Sequence, residues 1–413
     1  MAVSITAHPD STPRPAGQHL VYTLYDSSVP DRYVVQVYRS TTTSGTGSEQ
    51  AKLYLTPNAN DRAHFDISKI AEGIIEYPLS KDGVAIHAVQ DAAKVFTVDE
   101  LALLKFQVRA GQYNGTTESL NEANDIVYLL RGVEQISAGL NPSFSQYYPT
   151  GASIKGWLTD RERSNPSDDT SEIQVSMGAD DQAVGLIMLT DNLGQATSAT
   201  RMRIRAYSAS GSYLSLVDVT VATSTTVKDN LLCVPIGPAH WTFLGLPSST
   251  ATAKFRLENT SGNDKCVEMA VTLDETPCKH EATQLAWINS RGGWDYLRFD
   301  SRAPKTIAVT GKEYRKAVGS YGAAAFTIAS DAQQYDVYGK TGKERYTLQE
   351  QFFTADEREL LQYLMQSQVV QMRTGTGNWE PCIVRTNSLQ IQPQGSQFYA
   401  VSLEVEIARD VRC

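Results

Sequence analysis

Apolar and polar residues alternate along this chain in short runs, and clusters of Gly, Pro, Asn and Asp separate the runs. A period of two is the mark of half-buried strands, with turns at the clusters. In the first third, segments 19–26, 33–41 and 51–56 carry the pattern, with Val35 and Val37 alternating against Gln36 and Tyr38. Turns are expected at 29–31 and 57–61. Segment 66–71 predicts a short helix, because Asp66 can accept hydrogen bonds from backbone N–H groups of its first turn. Strands follow at 101–110 and 125–133.

A second series of strands is expected at 173–177, 183–190, 202–207, 213–221, 231–236, 253–257 and 266–273. It comes after a charged stretch, 160–169, that reads as a solvated break. Near 281 the pattern changes. Leu285, Trp287, Tyr296 and Arg298 alternate on either side of a polar, glycine-containing reversal from Asn289 to Gly293, which predicts a hairpin with aromatics on both arms. Leu360, Leu361, Leu364 and Met365 recur at helical spacing behind Thr354 and Glu357, a capping-box pair, so a helix is expected over 354–368. Strands at 369–374, 379–386 and 399–407 follow. In the last of these Val401, Leu403, Val405 and Ile407 alternate with Ser402, Glu404 and Glu406, predicting one buried face and one acidic face. The expected class is mainly β: two β-sandwich modules followed by an α+β C-terminal domain with one clear helix. The expected boundaries are an N-terminal arm at 1–18 and domains at 19–140, 141–280 and 281–413.

Composition narrows the functional classes. The chain has 413 residues, too many for one ordinary core, and its 20 Tyr and 28 Gly favour strands joined by short turns. A formal charge of -9 argues against specific nucleic-acid binding and suits a protein partner better. No apolar run reaches the ~20 residues that a bilayer-spanning helix needs, and the polar start differs from a signal peptide, so a cytoplasmic origin without a membrane partner is expected. Five scattered cysteines then read as free thiols.

Candidate chemistry is sparse. His8, His19, His64, His87, His240 and His280 fall in no signature with Ser or Cys. Cys266, Cys278 and His280 could each donate to a metal, yet no fourth donor follows at zinc spacing. Asp180, Asp181 and the loop 259–264 hold oxygen donors, and turn formation accounts for the loop without calcium. Residues 339–343 carry the Gly-Lys-Thr order of a phosphate loop, but Tyr335 stands where its first glycine belongs, and a polar hairpin tip is expected instead. Lys305, Lys312, Arg315 and Lys316, interleaved with Glu313, read as a solvated strand edge that resists pairing. No catalytic residue, cofactor or metal ligand is expected. Asp295 beside Trp294 admits a sugar-stacking role, but Trp287 and Trp294 both adjoin strand residues that must bury something, which favours core aromatics. Trp287, Trp294, Asp295, Tyr296 and Trp379 are therefore candidates for packing or subunit contact, and Trp241 and Tyr213 are candidates for glycan contact.

The phrase Trp287-x-Asn289-x-x-Gly292-Gly293-Trp294-Asp295, with Gly311-Lys312-Glu313-Tyr314 after it, resembles virion structural proteins of tailed phages, including some of marine bacteria and of Bacteroidetes hosts. In those proteins a like phrase precedes a strand, an acidic helix and antiparallel strands. Tyr33-Val34-Val35-Gln36-Val37-Tyr38 and Phe65-Asp66-Ile67-Ser68 are also similar to theirs, where a fibronectin-like module often stands. The middle region has no counterpart. The resemblance implies a non-enzymatic ring component of the tail, neck or baseplate, partnered by copies of itself and by other virion structural proteins. The alternative is a carbohydrate-binding adhesin or receptor-binding module of a virion. A glycan-degrading enzyme would need two inward carboxylates at a cleft.

Overall fold

Strands dominate the computed structural model, which describes residues 3–9, 14–132, 144, 147, 151–165, 167–168, 171–189, 201–221, 224–274, 280–316, 319–321, 324–328, 333, 335–350, 355–386, 401–409 and 411–412. The fold is mainly β with one long helix, as expected. It divides into two compact units. The first comprises Met1–Pro277, Ala286–Arg298 and Thr354–Gln368, and the second comprises Cys278–Leu285, Phe299–Phe353 and Val369–Cys413. This division differs from the expected boundaries at 140 and 280, because the hairpin tip and the helix belong with the first unit.

The first unit opens with β1 (Ser4–Ala7), β2 (Arg14–Pro15), β3 (Val21–Tyr25), β4 (Arg32–Ser40), β5 (Ser48–Leu55) and β6 (Arg62–Asp66). After α1 (Ser68–Glu72) and a small hairpin of β7 (Ser80–Lys81) and β8 (Val84–Ala85) come the long β9 (Leu103–Asn114) and β10 (Thr117–Leu130). One sheet has the order β1-β3-β6 and the other β2-β10-β9-β4-β5. Tyr22, Leu24 and Phe65 of the first sheet share a core with Tyr33, Val35, Val37, Phe106 and Val108 of the second. The Tyr22 and Phe65 rings stack at 5.2 Å. Asp66 accepts from the Ser68 N–H at 2.8 Å and the Leu20 N–H at 3.0 Å, so the carboxylate read as an anchor for the short helix performs that task.

The next elements are β11 (Ile173–Met177), β12 (Val184–Met188), β13 (Arg201–Tyr207), β14 (Tyr213–Thr220), β15 (Leu231–Pro235), α2 (Trp241–Leu244), β16 (Thr252–Glu258) and β17 (Met269–Leu273). Five of them form a sheet in the order β11-β17-β16-β13-β14, while β12 pairs with β15. On β13 the alternation is complete: Met202, Ile204 and Ala206 are buried, and Arg201, Arg203 and Arg205 reach across the other face to Glu258 at 2.9, 2.9 and 3.3 Å. Glu258 is thereby covered by cations rather than by apolar groups.

The chain passes between units within β18 (Thr283–Ile288) and at the end of β19 (Trp294–Phe299). In α3 (Ala355–Gln366), Leu360, Leu361 and Leu364 form the expected buried stripe, and Thr354 lies outside the described residues.

The second unit contains β20 (Lys305–Arg315), a short hairpin of β21 (Ser320–Tyr321) and β22 (Phe326–Thr327), β23 (Tyr335–Glu350), β24 (Val370–Thr374), β25 (Glu380–Val384), β26 (Val401–Ile407) and β27 (Val411–Arg412). Its sheet runs β24-β25-β26-β23-β20, with β27 also on β23. Residues 339–343 are mid-strand in β23 rather than a hairpin tip. Thr341, Gly342 and Lys343 sit opposite Thr310, Val309 and Ala308, and Gly339 and Lys340 fall at the bulge between Thr310 and Lys312, so the long partner strand carries the segment past it. The acidic face expected on β26 is also corrected. Glu406 is only 1% exposed and lies against Lys343, Arg345 and Arg385 at 3.1, 3.0 and 2.7 Å. The Arg385 hydrogen bond, with those of Lys343 and Arg345, holds the Glu406 carboxyl down to about 2. A depressed carboxyl stabilises the fold above its usual range, and that contribution fades as pH falls through the folded value. Glu406→Gln should therefore melt below the parent at pH 7, with the gap closing on acidification toward pH 2 in circular-dichroism melts.

Candidate functional site

The reversal between β18 and β19 is built by one side chain. Asn289 accepts on Oδ1 from the N–H groups of Arg291 (2.9 Å) and Gly293 (3.0 Å), and Nδ2 donates to the Leu158 carbonyl (2.9 Å) and to Asp295 Oδ2 (3.0 Å). All four of its hydrogen-bonding positions are used, and the residue is fully buried. The two glycines serve for different reasons. Gly292 has φ +81°, where L side chains are strained. Gly293 has no such angle, but a Cβ there would lie 1.9 Å from the Leu158 carbonyl oxygen.

The aromatics on the arms face inward. Trp287 is fully buried, Trp294 donates its indole N–H to the Pro78 carbonyl at 2.9 Å, and the His87 ring meets it edge-on at 4.4 Å. The Tyr296 hydroxyl accepts from the Val184 N–H at 2.9 Å and lies 2.8 Å from His87 Nδ1. His87 is held in turn through its carbonyl, which accepts from His240 Nε2 at 2.8 Å. Of the five candidates for packing or subunit contact, Trp287, Trp294, Asp295 and Tyr296 thus pack within their own chain, and Trp379 is half-buried.

Asp295 is the hub of the tip. Its Oδ1 accepts from the Thr159 hydroxyl, and its Oδ2 accepts from the Asp160 N–H at 2.9 Å as well as from Asn289. The Asp160 carboxylate then returns across the gap, accepting from the Ser290 N–H at 2.8 Å and approaching Arg291 Nε at 3.3 Å. Arg291 lies over the rings of Tyr147 (4.9 Å) and Phe144 (5.4 Å). Asp160 is accordingly not part of a solvated break. A partner 130 residues away draws it inside. Burial, reinforced by the Asp295 charge, pushes its carboxyl up to about 6. Nearby Lys155 is also buried, with Glu162 at 3.6 Å, and burial pushes its ammonium below the usual lysine range.

The chemistry available to this cluster is proton uptake and structural locking. The cavity beside Trp157, Thr159, Asp295 and Tyr296 measures about 10 Å³, the room of a single water molecule. Asp160 and Asp295 are both buried and joined through a backbone N–H, an arrangement unlike the open cleft that glycoside hydrolysis requires. Elsewhere, Trp241 also turns inward: it is buried and donates to the Ile236 carbonyl at 3.1 Å, so of the two glycan candidates only Tyr213 is exposed, against the edge of Tyr207. Asp181 pairs with Arg298 at 3.2 Å, and Asp264 pairs with Arg256 at 2.8 Å. Cys233, Cys266 and Cys382 are free and buried, and burial pushes the Cys266 thiol up to about 12. Cys278 lies outside the described residues, and among those described no three His, Cys, Asp or Glu side chains gather as a metal site. No described helix is long and apolar enough to cross a membrane.

Sequence reasoning missed Thr159, Asp160 and Ser290, for which no local signal exists. The strand at 202–207 was expected, but the arginines on its outer face and their buried partner Glu258 were not singled out.

No family model and no curated protein matches the chain. Among solved structures it aligns with the native conformation of E. coli alpha-2-macroglobulin at 8% identity and a TM-score of 0.20, over 97% of this chain and 23% of that one. That likeness bears on neither fold nor function.

Gly293→Ala should destabilise the first unit by about 1–3 kcal/mol through overpacking against backbone. Asn289→Ala should cost about 3 kcal/mol or more by stranding buried donors and acceptors. Urea unfolding of each variant measures both. Because the Asp160 carboxyl is raised from 3.8 to about 6 in the folded chain, its contribution is fully present below pH 3.8 and fades as pH rises through 6. The span is about 3 kcal/mol. Unfolding free energy measured from pH 5 to 7.5 should therefore fall less steeply in Asp160→Asn than in the parent.

Proposed function

We propose that this chain is a non-enzymatic structural protein of a tailed-phage virion, a ring-forming subunit of the tail, neck or baseplate, made in the host cytoplasm and built in beside other virion proteins. The observation that carries this reading is the use made of the Trp287 to Asp295 phrase. Asn289, Trp294 and Asp295 spend their polar groups on buried partners within their own chain, and Trp287 is itself fully buried. The resemblance of the same phrase to virion proteins agrees with an architectural role. Open sheet edges at β5, β14 and β20 are natural surfaces for building a ring by strand addition or packing. The adhesin reading has lost its indole platform, since Trp241 faces inward, and keeps only the exposed Tyr213 beside Tyr207.

The test is to purify particles of a phage that encodes the chain, quantify it by mass spectrometry and locate it by cryo-electron microscopy. Many copies per particle in a cyclically symmetric layer are expected. A chain absent from purified particles would overturn the reading.

A further inference from the structure

Apolar side chains are distributed unevenly over the surface. Of the thirteen large apolar residues exposed among the described ones, six sit on β20 and β23. Ile307 and Val309, at 54% and 55% exposure, project from one face of the proximal ribbon. Beyond the bulge between Thr310 and Lys312, both faces are bare. Tyr314 and Tyr338 meet at 5.7 Å on one side, and Tyr335 and Val337 stand on the other. Along this distal half β23 pairs, among the described residues, with β20 alone, since β26 stops at Arg345 and β27 covers only Thr341 and Gly342. A two-stranded ribbon is marginal without a covering layer, and exposed apolar surface of this concentration marks a contact.

Charge identifies what covers it. Segment 305–346 carries seven Lys and Arg against four Asp and Glu, in a chain whose net charge is -9, so the remainder is more acidic still. Lys305 and Lys316 pair within the ribbon, with Glu344 at 2.8 Å and Asp336 at 2.6 Å, and Lys343 and Arg345 pair with Glu406, which leaves Lys312, Arg315 and Lys340 without a carboxylate partner among the described residues. A basic arm on an acidic chain complements another copy of that chain. Aliphatic Ile307 and Val309 and the interleaved acids disfavour a nucleic-acid strand.

We infer that the β20–β23 ribbon is an arm that packs its apolar faces against the acidic body of a second copy of this chain. The inference rests on the ring-forming reading above and names the element that makes the ring contact. Arm and body are different surfaces, so the contact is head-to-tail, the type that closes into rings.

The full chain is weighed by native mass spectrometry and light scattering at low and high salt, beside Ile307→Ser/Val309→Ser, Tyr335→Ser/Tyr338→Ser and the control Val84→Ser, an exposed apolar residue on neither the arm nor those sheet edges. Parent and control should assemble and loosen with salt, while each arm variant should assemble at least tenfold more weakly with unchanged circular dichroism. Arm variants that assemble like the parent would overturn the arm and leave the ring reading standing. A parent that stays monomeric at every concentration and salt would overturn the ring reading and the arm with it. A photo-crosslinking residue at position 338 serves as an independent readout, even if a variant folds poorly. Adducts to a second copy support the proposal, and adducts only to a different molecule, or none, overturn it.

Discussion

The first unit depends on the complete satisfaction of one buried polar tip. Asn289, Asp295, Thr159 and Asp160 exchange hydrogen bonds that join the β18–β19 reversal to the backbone at 158–160, and Trp294 extends the same attachment to Pro78. In a medium that excludes water, each unmade bond costs more than a made one contributes, so such a network holds together as a unit or not at all. This explains why segments far apart in sequence are held in one geometry although no disulfide or metal is described there. It also explains the demand for glycine at 292 and 293, where backbone from two other segments occupies the space a side chain would need.

Three buried carboxylates show how differently this chain handles charge. Glu258 lies under a fence of arginines from β13. Glu406 is gripped by three cations and held strongly ionised. Asp160, by contrast, is pushed up to about 6, by burial first and then by the Asp295 charge, against the Ser290 hydrogen bonds and the Arg291 guanidinium. The first two arrangements fasten strands across a sheet. The third leaves a titratable group at the centre of the tip, where its protonation bears on how firmly the hairpin is held.

The interior and the arm follow opposite rules. Through most of the first unit, apolar alternation ends in burial, and even the aromatics of the motif-like phrase are sealed inside. On β20 and β23 the same alternation continues where the described chain offers no covering layer. That contrast separates residues that complete this fold from residues suited to a partner. On the proposed reading, the contact with a second copy lies away from the hairpin that first attracts attention in the sequence.

Local order was largely legible in the chain. The mainly β class, strands such as 173–177 and 213–221, the Asp66 anchor and the leucine stripe of α3 all follow from periodicity and turn chemistry, which act over a few residues. The inward packing of Trp287 and Trp294 was also foreseen, because strand aromatics must be buried somewhere. Asp160 defeated such reasoning: among charged neighbours it looks solvated, and only Ser290 and Arg291, brought in by the fold, take it out of water. Glu406 and residues 339–343 follow the same logic, one decided by cations on neighbouring strands and the other by the length of β20. Sequence by itself determined most of the segments that become strands, since alternation and turns are local. Tertiary structure alone decided which charges are buried and which apolar residues stay bare, since burial depends on partners that the chain's own order does not place nearby.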